Sequence, residues 1–277
     1  MDNLRAYLER KNIVFSAKRY GIDALGAMAQ GLFCSLLIGT ILKTLGQQTG
    51  WALLTDIGTY AMSVSGPAMA VAIGYALKAD PMVLFSLAAV GWAANAEGGA
   101  GGPLAVLIIA IIAAEFGKAV SKETRVDILV TPIVTILVGV GLAMVVAAPI
   151  GAFAQWVGSI IMWATEQHPF PMGILVSVLV GIALTLPISS AAICAGLGLT
   201  GLAGGAAVAG CCAQMVGFAV MSFKENRWGG IVSQGLGTSM LQMGNIVRNP
   251  RIWIPPILAS AVTGPIATCV FGLQMNG

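Results

Sequence analysis

Charge is what this chain has least of. Only 9% of its 277 residues are Asp, Glu, Lys or Arg, against about 25% in soluble globular domains. So few charges cannot clothe a water-facing surface of this size, which excludes a soluble globular protein and leaves lipid as the solvent. There is a single histidine, His168, and no Cys, Asp or Glu cluster beside it, which argues against a metal centre and against a Ser-His-Asp relay. The five cysteines, Cys34, Cys194, Cys211, Cys212 and Cys269, contain no C-x-x-C pair and read as free thiols in apolar segments. Cys211 and Cys212 are adjacent, but neighbours on a helix point about 100° apart. None of the glycine-rich runs ends in GK[ST], so direct use of ATP is not expected, and no cofactor is. The first 20 residues lack an apolar core, so the first apolar helix, rather than a cleaved leader, is the expected insertion signal.

What the chain has instead is 57% hydrophobic residues and a mean hydropathy of +0.90. A crossing uses about 20 apolar residues, which predicts an all-α polytopic membrane protein of about eight to ten transmembrane helices. Residues 1–20 interleave Leu4, Leu8, Ile13 and Phe15 with Arg5, Arg10, Lys11, Lys18 and Arg19, the pattern of an amphipathic helix on an anionic membrane surface. Residues 21–277 are expected to form one transmembrane transport domain. Its spans are expected near 24–45, 51–77 with a break at Ser65-Gly66-Pro67, 81–95, 103–118, 128–148, 149–165, 172–186, 206–223 and 252–273. Two breaker-rich stretches, LPISSAAICAGLGLTGLAGG and GGIVSQGLGTSMLQMGNIVRNPR, read as re-entrant hairpins. Basic residues cluster at 5–19, 118–125, 224–227 and 248–251, and the positive-inside rule places all four clusters, with the N-terminus, on the cytoplasmic side. SVSGPAMAVAIG at 63–74 is weakly similar to AVTGPIATCVFG at 261–272, and paired Gly/Pro breaks are a mark of transporters built from internal repeats.

Three acidic residues lie in apolar sequence: Asp56, Glu97 and Glu115. A charge at mid-bilayer costs at least ~2.5 kcal/mol and needs a partner, a cavity or a function. Glu115 has Lys118 one helical turn on, so an ion pair accounts for it as well as any role does. Asp56 lies near the polar Gln47 and Gln48 and reads as interfacial. Glu97 is the candidate, because GWAANAEGGAGGP offers a backbone that glycines let unwind and approach a ligand. Gly98 and Gly99 would supply that backbone, Asn95 an amide and Trp92 an aromatic platform, a mixture suited to a sugar. A solvated loop glutamate is the alternative. A second wall is expected from Ser189 and Ser190, and a third from Gln234, Thr238, Ser239, Gln242 and Asn245. Uncharged polar groups on irregular backbone at membrane depth line protein or water, although small polar residues also serve plain helix packing.

Through VDILVTPIVTILVG (126–139), GGIVSQGLGTSMLQMGNIVRNPRIWIPP (229–256) and ASAVTGPIATCVFG (259–272), the chain resembles the bacterial phosphotransferase-system enzyme IIC family, and within it the PfoR-like branch. The resemblance implies a multi-pass protein of the bacterial inner membrane, a homodimer with re-entrant hairpins around a sugar site. It also implies an intramembrane glutamate that binds a sugar hydroxyl, for which Glu97 is the matching position. With no IIA or IIB sequence in this chain, phosphate would come from a separate IIB phosphocarrier protein, and Glu97 would then serve as general base. The expected function is a permease for a small polar, sugar-like solute working by alternating access. A membrane solute sensor without transport, and an ion- or proton-coupled carrier, are the rivals.

Overall fold

The computed structural model describes residues 2–275. Their regular structure is helical throughout, and the one β-bridge, between Gly201 and Met275, stands alone. In chain order the α-helices are α1 (Asp2–Arg10), α2 (Leu25–Leu32), α3 (Ile38–Thr49), α4 (Ala52–Ser63), α5 (Ser65–Ala76), α6 (Pro81–Gly98) and α7 (Gly102–Val120). Then come α8 (Asp127–Thr165), α9 (Pro169–Thr185), α10 (Ser190–Gly196), α11 (Gly201–Met221), α12 (Phe223–Gly230), α13 (Met243–Arg248) and α14 (Ile254–Pro265). Short π and 3-10 turns join several of them. One, at Arg19–Ala24, opens a continuous helical stretch that runs to Thr49 through α2 and α3.

Five stretches are long and apolar enough to cross a bilayer, and α4 with α5, bent by 49°, adds a sixth. The longest, Pro81–Val120, has 40 residues and would measure about 60 Å as one straight helix. Yet Ser121 Oγ donates to Asp80 at 2.9 Å, so its two ends meet. It is a hairpin, reversed at Gly99, whose φ of 50° and ψ of −122° strongly favour glycine. Pro81 and Pro103 start the two arms, where a missing N–H costs nothing. With the hairpin counted as two and the shorter α9 included, the described residues hold eight apolar spans, the lower end of the sequence expectation. One span differs from that expectation: α8 runs unbroken over 39 residues with Pro132 and Pro149 inside it, where the sequence suggested two segments meeting at Pro149.

The chain divides into two compact units, Met1–Gly151 and Ala152–Gly277. In the first, α2, α5, α6 and α7 bury Met28, Met69, Ile73, Leu87, Val90 and Ile109 completely. Small residues bring the helices together. Gly66 on α5 and Gly91 on α6 face each other so closely that a methyl on either would overlap the other's carbonyl. In the second unit α9, α11 and α14 form the core, and Gly173 and Gly264 make a similar crossing. Gly66 and Gly264 are equivalent positions in the two weakly similar SGP and TGP segments. The outer surface is apolar, with Phe85, Met144 and Val145 more than 70% exposed, as a lipid-facing surface requires.

Charged side chains collect at one end of the first unit. Lys118 and Glu115 pair at 2.7 Å, as the sequence spacing allowed. Lys118 also donates to the carbonyls of Asn12 (2.9 Å) and Leu77 (3.1 Å). Arg19 lies 4.0 Å from Glu115 and donates to Asn12 Oδ1 at 2.7 Å, and the Tyr20 hydroxyl donates to Glu115 Oε1 at 3.1 Å. These bonds tie the start of the first span to the ends of α5 and α7. The amphipathic helix α1 docks beside them. Arg10 pairs with Glu123 at 2.8 Å, Lys11 pairs with the same carboxylate, and the Tyr7 hydroxyl donates to the Ala119 carbonyl. Basic clusters 5–19 and 118–125 therefore share one face. The hydrogen bond from Lys11 holds the Glu123 carboxyl below the usual range, and that from Lys122 does the same for Asp80.

Candidate functional site

In the first unit the candidate residues sit on α6 and at the tip of the α6–α7 hairpin. Helix α6 remains regular through Glu97 and ends only at Gly98. Asn95 and Glu97, two residues apart, therefore point about 160° from each other, and Trp92 lies about 140° from Glu97. The three do not converge. Trp92 is 63% exposed, on the same stripe as Phe85. Asn95 turns the other way, into the hairpin, where a Cβ on Gly102 would come within 2.6 Å of its side-chain oxygen.

Glu97 shares the azimuth of Ser86 and Val90, which are buried higher on the helix. It is exposed because it stands at the hairpin tip, beyond the residues that cover that face. Among the described residues it has no hydrogen bond and no ion pair. Beneath it the tip is tightly seated: a Cβ on Gly101 would lie 2.7 Å from the Ile150 carbonyl, and one on Gly151 would lie 2.8 Å from that of Gly98. The carboxylate thus stands on a rigid platform, with Gly98 buried and Gly99 at the surface.

In the second unit the polar residues separate into two groups. The first is structural. Ser189 caps α10 by accepting from Ala192 N at 3.2 Å, and Ser190 is buried. Ser239 shares a 2.7 Å hydrogen bond with Thr185, both fully buried, and Thr238 accepts from Met240 N at 3.2 Å. The second group surrounds a cavity of about 360 Å³ lined by Gln242, Asn245, Ser222, Glu225 and Asn226 together with Phe218, Met221 and Ile252. That volume lies in the range of small-molecule sites, about 300–1,000 Å³. Asn245 Nδ2 donates to Gln242 Oε1 at 2.8 Å across its wall. Gln234 stands behind, donating to Ser222 Oγ at 3.0 Å, and its own side-chain oxygen is buried with no partner. A buried carbonyl left unpaired costs about 1–3 kcal/mol.

Three lining residues escaped the sequence reading. Ser222 lies at the end of the span expected over 206–223, and Glu225 and Asn226 lie in the basic cluster after it; they reach the cavity beside Gln242 because the chain turns back at Arg227, whose φ is 49°. Gln214 was missed too. It is wholly buried and joins Trp253 Nε1 (3.1 Å) to Ser260 Oγ (3.4 Å), linking α11 to α14 and to the turn before it. The only signal of its role is a lone amide in an otherwise apolar span.

Many-helix architecture, an apolar rind and irregular, amide-rich backbone beside a cavity define the class of membrane transport proteins. Residues 22–277 match the family model described as Phosphotransferase system, EIIC. The chain belongs to that family and is a permease component of a phosphotransferase system. No curated protein and no solved structure matches it.

Proposed function

We propose that the protein carries a sugar or sugar-like solute across the bacterial cytoplasmic membrane by alternating access, with its N-terminus on the cytoplasmic side. Residues 21–277 act as one transport domain, in a homodimer, and a separate IIB protein supplies phosphate. One observation carries the reading: Glu97 is an unpaired carboxylate fixed at the tip of an apolar hairpin. Exposed there without a partner among the described residues, its two carboxylate oxygens are free to accept sugar hydroxyls. Gly98 and Gly99 let a solute approach the backbone there. Separately, within the second unit, the cavity lined by Gln242 and Asn245 offers amide groups to a small polar solute. Trp92 and Asn95 take packing roles instead, at the lipid face and inside the hairpin.

The test is uptake of labelled sugars into sealed vesicles containing the purified protein, after a thermal-shift screen has chosen the sugar. Wild-type protein speeds equilibration of the sugar into the lumen, Glu97→Gln does not, and Trp92→Ala does. Unchanged uptake by Glu97→Gln overturns the assignment. Binding with entry no faster than in protein-free vesicles identifies a sensor rather than a carrier.

A further inference from the structure

Where α1 docks on α7, a polar cavity and an apolar groove lie on either side of one wall. The polar cavity, about 340 Å³, is lined by Arg10, Lys11, Lys78 and Lys122, with Asp80 and Glu123 as its carboxylates and Lys118 at its floor. Lys118 is neutralised by Glu115 at 2.7 Å, so the other four cations exceed the two carboxylates by two charges. Lys78 has no ion pair among the described residues, and its backbone, with φ of 56°, holds it at the turn after α5. The groove, about 360 Å³, is lined by Leu8, Ile13 and Phe15 on one side and by Ile111, Ile112 and Phe116 of α7 on the other. Phe15 and Phe116 are 75% and 54% exposed. From Ala119 to Ile111 the groove follows about 12 Å of helix axis.

Residues 8–13 supply both linings, so the cationic cavity and the apolar groove meet at the end of α1. We propose that this is a site for an anionic glycerophospholipid, with the phosphate in the cavity beside Lys78 and an acyl chain along α7. An excess of cations at one end and an apolar trough at the other complement that molecule at both of its ends. A neutral lipid would leave the cations uncompensated, and a free anion would leave the trough bare. Such a lipid would fasten α1 to the membrane and to the 121–123 turn together.

The test is native mass spectrometry of the delipidated full-length protein titrated with phosphatidylglycerol or phosphatidylcholine. At about 1 kcal/mol per basic residue near a membrane surface, phosphatidylglycerol is favoured by roughly thirtyfold and Lys78→Asn removes about fivefold of that preference. Asn tolerates the left-handed backbone of this position, so the variant keeps its fold. Phe116→Ala weakens both lipids alike. Equal retention of the two lipids by wild-type protein, an unchanged preference in Lys78→Asn, or displacement of the lipid by inorganic phosphate alone each overturns the proposal.

Discussion

Replacing Lys118 by Met tests whether the buried ion network holds the first unit together. Lys118 is 3% exposed and Glu115 is 8% exposed, and the pair sits at 2.7 Å. At an effective dielectric near 20 their attraction is about 6 kcal/mol gross, most of it offset by the cost of removing both ions from water. Met matches the length of the lysine stem but leaves the carboxylate behind. Losing one partner of a buried pair costs about 3–5 kcal/mol. Arg19 at 4.0 Å and the Tyr20 hydroxyl at 3.1 Å still face Glu115, which puts Lys118→Met at the lower end, about 3 kcal/mol. Adding Glu115→Gln removes the orphaned charge while keeping an acceptor for Tyr20, so the double variant should recover about 2 kcal/mol. Equilibrium unfolding in a mild detergent, read by the fluorescence of the six tryptophans, measures the cycle. A single variant as stable as wild type, or strictly additive substitutions, would refute the reasoning.

Helix crossings and the docking of α1 are tested in the same way. Gly91→Ala and Gly210→Ala each set a methyl against a backbone carbonyl, of Gly66 and of Ser177, that cannot yield. Each should cost about 1–3 kcal/mol, whereas Gly26→Ala, with nothing within 4 Å of the new methyl, should be neutral or stabilising in thermal unfolding. The carboxyls of Glu123 and Asp80 are held low by Lys11 and Lys122. A depressed folded-state pKa gives stability that is present above the ordinary carboxylate range and lost as pH falls through the lowered value. Docking of α1 should therefore persist from neutral pH down to the ordinary carboxylate range and loosen below it. Spin labels at Ala6 and Thr124 should separate there and not between pH 6 and 8; a distance independent of acid would count against the ion pairs as the fastening.

How far the sequence reached depends on whether local chemistry or packing decides each feature. The α6–α7 hairpin was legible because AEGGAGGP contains the residue type that adopts positive φ most readily, followed by a proline that starts a helix. The Lys118–Glu115 pair was legible because residues three apart share a helical face. Helix α8 was not: Pro149 reads as a boundary, but neighbouring groups in a membrane protein can satisfy the freed carbonyl, so the helix continues. The constellation of Trp92, Asn95 and Glu97 was drawn on the assumption that the glycines loosen the backbone upstream of Glu97. They act only downstream, from Gly98, and a regular helix then sends neighbouring polar residues in different directions. The cavity beside Gln242 and Asn245 shows the opposite case. Ser222 and Asn226 reach it by a turn at Arg227 that no periodicity announces, because left-handed backbone at a non-glycine residue is a choice made by tertiary packing. Helices and their breaks are thus written in short-range composition. The polar wall of a cavity is assembled from residues that only the folded chain brings to one place, which is why transport measurements on Gln242 and Asn245 variants will say more about the solute than their sequence context does.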